Sequence, residues 1–171
     1  MARAWDVPGL TAGSRFRDAA GRVILTRWRE MMSYRDGTLA GEDIEDLHAM
    51  RVSSRRLRAA MDAFDGAFPP KSFRPLLKQV KEITDVLGDA RDLDVAVERL
   101  MDVLPSLRAD ERPGIEGLIA RYRDDRAAED PKIAALMARI EADGFEEHLA
   151  GYIAKHTGVK LSKLKPRPPE V

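Results

Sequence analysis

No stretch of this chain alternates apolar and polar residues long enough to make a half-buried strand, and its apolar residues recur instead at spacings of three and four. Leu76, Leu77, Val80, Ile83 and Leu87 show the pattern, and Leu93, Val97, Leu100, Met101 and Leu104 repeat it. A chain patterned this way folds as helices. With 171 residues it is one domain's worth, long enough to bury a substantial core.

Local signals divide the helices. Residues 1–13 carry Pro8, Gly9 and Gly13 without periodicity and read as a flexible lead-in. Ser14 is placed to cap a first helix that runs to about Tyr34 and breaks at Asp36-Gly37. Glu42 and Asp43 suit the positive end of a second helix, which continues to about Phe64 and stops before Pro69-Pro70. A third is expected from Ser72 to Leu87, with Gly88 as its terminal residue. Asp89 and Asp92 then resemble a capping arrangement for a fourth that ends at Pro105. Further helices are expected over Pro113–Glu129, from Asp130-Pro131 to Gly144, and over Phe145–His156. Residues 158–171 hold Lys160, Lys163, Lys165, Arg167 and three prolines, a basic tail. Short connections favour antiparallel neighbours, so the expectation is an all-α antiparallel bundle of about six helices spanning residues 14–157.

Composition narrows the function. Cysteine is absent, which excludes disulfides and thiolate metal sites. Apolar runs fall well short of the roughly 20 residues of a membrane span. Nor does the N-terminus pair positive charge with a long apolar stretch, so no membrane partner is expected and a cytoplasmic location is the default. The 29 basic and 29 acidic residues cancel formally, which argues against a partner held by bulk charge alone. Their distribution is uneven. Arg51 to Lys81 contains eight basic residues against only Asp62 and Asp65, whereas Glu42–Asp46 carries four acids in five residues.

The stretch from His48 to Phe64 is the most informative. On a helical wheel His48, Arg51, Arg55 and Arg58 share one side within about 80° of one another, while Met50, Leu57, Met61 and Phe64 cluster opposite. Arg56 sits to the side. Arg51 and Arg58 are about 10 Å apart along the axis, a spacing suited to a chain of phosphates. Arginine's planar fork binds two phosphate oxygens at once. Like charges at these spacings repel, and an anion, or acids from another helix, would relieve them. Arg74, Lys78 and Lys81 share a face of the next helix; if the two helices pack antiparallel, their basic rows flank a groove. Arg91, and Arg15, Arg22 and Arg29 on the first helix, would extend it.

Two motifs give this chain a family resemblance. His48-x-x-Arg51-Val52-x-x-Arg55-Arg56-Leu57-Arg58 and Leu87-Gly88-x-x-Arg91-Asp92-Leu93-Asp94-Val95 resemble the paired signatures of the CHAD family, the conserved histidine α-helical domain. The resemblance covers residues 14–156 and implies a helical bundle with a basic channel that binds inorganic polyphosphate, often at polyphosphate granules. It implies His48, Arg51, Arg55, Arg56, Arg58 and Arg91 as ligand contacts. Lys78 and Lys81 join them on the helix-face argument, and Asp92 is expected to be a cap or an ion-pair partner that orients an arginine. Family members commonly hold two such halves, and this chain shows one histidine–arginine helix, so a single-repeat member is expected. A homodimer would rebuild the missing surface.

Other chemistries fit less well. His48 has no second histidine one turn away, and arginines beside it oppose a metal. Asp89, Asp92 and Asp94 suggest magnesium-assisted phosphate chemistry, but capping accounts for the first two. No phosphate-cradling glycine loop and no nucleophile–base pair is present, so no catalytic residue and no cofactor are expected. Nucleic acid is the main rival ligand, yet the arginine face lacks the aromatics, Asn or Gln that read bases. Docking of an acidic protein on the basic row is the third reading.

Overall fold

A computed structural model describes residues 3–165. Within them the chain forms seven α-helices and no strand: α1 (Phe16–Met32), α2 (Arg35–Ala40), α3 (Ile44–Ala63), α4 (Pro70–Val103), α5 (Arg112–Ala127), α6 (Asp130–Ala142) and α7 (Phe145–Thr157). The all-α expectation holds, with one helix more than the six expected. Among these residues no helix is long and apolar enough to cross a membrane.

Four boundaries differ from the sequence reading. Ser14 does not cap α1: the N-cap is Arg15, without a side-chain cap, and Ser14 Oγ accepts from the Thr11 N–H at 2.9 Å. Asp36-Gly37 does not end a helix; it lies inside the short α2, which closes at Gly41 in the left-handed conformation (φ 66°) that favours glycine. Pro70 opens α4 two residues before Ser72, since a proline at the first position loses no helical hydrogen bond. The largest correction is Gly88-Asp89. It is not a helix end but the interior of α4, which runs unbroken for 34 residues. Gly88 is buried in the α3–α4 contact beneath the Arg51 guanidinium, where a Cβ would stand 3.6 Å from Arg51 Nη2, at ordinary contact distance. The glycine does not terminate the helix here, because buried Leu87 and Ala90 on either side keep α4 packed through it.

α1, α3 and α4 make the centre of the bundle. Ile24, Leu25, Trp28 and Met31 of α1 meet Met50, Leu57 and Met61 of α3 and Val80, Ile83 and Leu87 of α4, all without exposed surface. The apolar face read from the sequence of α3 is the face that packs. Ile133 and Met137 of α6 and Leu149 and Ile153 of α7 complete the core. Trp28 satisfies its buried indole N–H on Glu146, at 2.8 Å. Glu30, fully buried in α1, accepts from Arg27 and, at 2.8 Å, from Arg56 of α3. A buried carboxylate persists only when paired in this way.

α1 also holds segments near both ends of the described chain. Arg27 donates to the Trp5 carbonyl at 2.8 Å and Arg22 to that of Pro8 at 2.9 Å. Arg29 donates to the Leu164 carbonyl at 2.6 Å, and Val159 and Leu164 are buried. Residues 166–171, which include Arg167 and the tail prolines, lie outside the described residues.

Candidate anion-binding groove

α3 and α4 run antiparallel, and their ion pairs set the register. Arg51 donates to Asp92 at 3.0 Å. One residue heptad later on α3, Arg58 lies 3.8 Å from Asp85, one heptad earlier on α4. Asp43 starts α3 by accepting from the Glu45 N–H at 2.8 Å, so the whole basic row sits on one regular helix.

The residues singled out in the sequence fall into three groups. Arg51 and Arg58 face α4 through their ion pairs, and by helical spacing exposed Arg55 and half-buried His48 share their row, which together with α4 forms the candidate groove. Arg55 is exposed and makes no ion pair among the described residues. Arg58 is loosely held, 3.8 Å from Asp85 and 4.0 Å from Asp62. Arg51 is the most firmly held of the three, because Asp92 orients it at 3.0 Å. Lys78 and Lys81 are exposed on α4 in line with Asp85 and are likewise unpaired among the described residues.

Two predicted contacts lie elsewhere. Arg56 turns toward α1 and bonds buried Glu30. Arg91 is 12% exposed and donates to Glu98 at 3.0 Å, with Asp94 at 3.9 Å. On α1, Arg22 and Arg29 hold the chain segments described above and do not extend the groove.

Sequence reasoning missed the acids that balance this surface. Asp92 orients Arg51 as its motif position suggests, whereas the sequence gives no such signal for Asp85 or for the structural role of Asp94. Asp94 is 8% exposed and accepts from Arg126 of α5 at 3.0 Å. Burial pushes its carboxyl above the usual Asp range, more strongly than Arg126 and Arg91 draw it down. Burial in turn works against the Arg126 charge, but its bonds to Asp130 and Asp94 prevail and raise it. The only advance signal for Asp94 was its place inside the second motif. Arg126 lies in neither motif.

The fold defines an all-α helical module, and the two motifs of the sequence meet in space across α3 and α4, where Arg51 bonds Asp92. The CHAD domain family model matches residues 22–168, and the chain belongs to that family. Its structure is similar to the crystal structure of the CHAD domain from the plant Ricinus communis, with a TM-score of 0.71 and 25% sequence identity. That match covers 91% of this chain and 51% of the plant one, so the chain spans about half the length of that relative. No curated protein matches the chain.

Proposed function

We propose that this chain binds inorganic polyphosphate, or a similar phosphate polyanion, along the α3–α4 groove and holds it without turnover. The observation that carries the reading is Arg55: an exposed guanidinium without an ion-pair partner among the described residues, standing between Arg51 and Arg58 in one row. Lys78 and Lys81 continue the charge on α4 and likewise make no ion pair among the described residues. The row offers forks for phosphate oxygens and no side chain that would read a base. Membership of the CHAD family supports the same ligand.

Titration calorimetry with long-chain polyphosphate, beside single-stranded DNA at equal phosphate concentration, tests the reading. Tight polyphosphate binding with much weaker DNA binding is expected. Equal affinity would reduce the groove to a generic polyanion surface, and no polyphosphate binding would overturn the reading. Asp92→Asn supplies a finer check. It frees Arg51 and removes a carboxylate from the groove, so polyphosphate affinity should rise about fivefold, roughly 1 kcal/mol, at fixed salt.

A further inference from the structure

We propose that the anion track does not end with α3 but passes onto the first half of α4, where Lys71 and Arg74 are additional polyphosphate contacts. The inference rests on the function proposed above and extends its site. It follows from the register. Arg51 stands at Asp92 and Arg58 at Asp85, so advancing along α3 means retreating along α4. Continuing back from Asp85 at spacings of four and three, the same stripe of α4 carries Lys81, Lys78, Arg74 and Lys71. The α3 row and this ladder therefore form one line. It is about 15 Å from Lys71 to Lys81 and about 25 Å from Lys71 to Gly88, the level of Arg55.

The acids divide that line unequally. Every acid paired with the row lies at its α3 end: Asp92 on Arg51, and Asp85 and Asp62 near Arg58. Lys71, Arg74, Lys78 and Lys81 are all exposed, and none makes an ion pair among the described residues. Glu82, the nearest acid in sequence to Lys81, is taken by Arg139 of α6 at 2.7 Å. The first turn of α4 contains no acid, and no side chain caps it, so the positive end of the helix dipole adds to the ladder. By the same register Asp62 stands level with Lys81, at the upper end of the ladder, whereas a phosphate that settles on Lys71 and Arg74 displaces no carboxylate paired to them among the described residues. One that settles on Arg51 must compete with Asp92. The ladder is the part of the track open to ligand from the outset, and a polymer long enough to leave it reaches Arg58 and then Arg55.

The test compares Lys71→Glu/Arg74→Glu with a charge-matched control, Arg121→Glu/Lys163→Glu, which alters exposed, unpaired cations on α5 and in the C-terminal turn. Both are made in the full chain and titrated with long-chain polyphosphate over a range of salt, with circular dichroism to confirm the fold. The ladder variant should bind tenfold to a hundredfold more weakly. Its plot of log affinity against log salt should be shallower by about 1.4, the contribution of two lost phosphate contacts. The control should stay within about twofold of the unmodified chain. Unchanged affinity in the ladder variant, while the unmodified chain binds tightly, would overturn the extension and leave the proposed function standing. An equal loss in both variants would overturn it as well, because bulk charge would then explain the effect. Absence of binding by the unmodified chain would instead remove the proposed function itself.

Discussion

Replacing Arg55 and Arg58 together with glutamate should weaken polyphosphate binding at least a hundredfold, about 2.7 kcal/mol. Arg55 makes no ion pair among the described residues, and Arg58 is only loosely engaged at 3.8 and 4.0 Å, so both guanidiniums are available to a ligand. Reversal removes two contacts and sets two negative charges beside the phosphates. Neither residue belongs to the core, and the thermal midpoint should move by no more than about 2 °C. Calorimetry read beside circular dichroism measures both effects. Retained affinity in a folded variant would place the ligand on another surface. Arg51 is a poorer target for reversal: its pair with Asp92, at 3.0 Å, is tighter than either of Arg58's and joins α3 to α4, so lost binding would be confounded with a disturbed groove.

The largest stability effect should come from Glu30→Leu. Glu30 is fully buried and accepts from Arg27 of its own helix and Arg56 of α3. Removing one partner of such a cluster strands the others in a poorly solvated site, which costs about 3–5 kcal/mol. For a domain of this size the melting temperature should fall by roughly 10 °C. Chemical denaturation would give the free energy directly, and an unchanged midpoint would show that the Arg27 and Arg56 charges find solvent without Glu30. The same contact explains why Arg56 stands apart from its neighbours in the first motif. Its guanidinium is committed to α1, and substitutions there should lower stability before they lower affinity.

The two faces of α3 were legible because amphipathic spacing is a local property, and packing obeys it: Met50, Leu57 and Met61 are buried and Arg55 is exposed. The continuity of α4 was not legible. Gly88 followed by Asp89 carries the ordinary chemistry of a helix end, but tertiary burial of Ile83, Leu87 and Ala90 on either side carries α4 through it, and that packing is not local to the dipeptide. The same limit applies to the charges. Arg51, Arg55 and Arg58 are equivalent in sequence, and what distinguishes them is an acid on a neighbouring helix. Arg22 and Arg29 also looked like part of a basic surface, yet backbone carbonyls of distant segments hold them. Which helices form follows from spacing along the chain, whereas which cations remain free depends on contacts that spacing does not encode.

An uninterrupted α4 makes chain length a constraint in its own right. One residue inserted between Lys81 and Gly88 would rotate everything beyond it by about 100°. Gly88 would leave the underside of Arg51, Asp92 would lose its partner, and the ladder would no longer share a line with the paired acids. Inserting seven residues would restore the face but displace the groove by about 10 Å. Insertions and deletions that preserve the groove are therefore confined to the turns flanking α4, around Asp65–Ala67 and Leu104–Ser106.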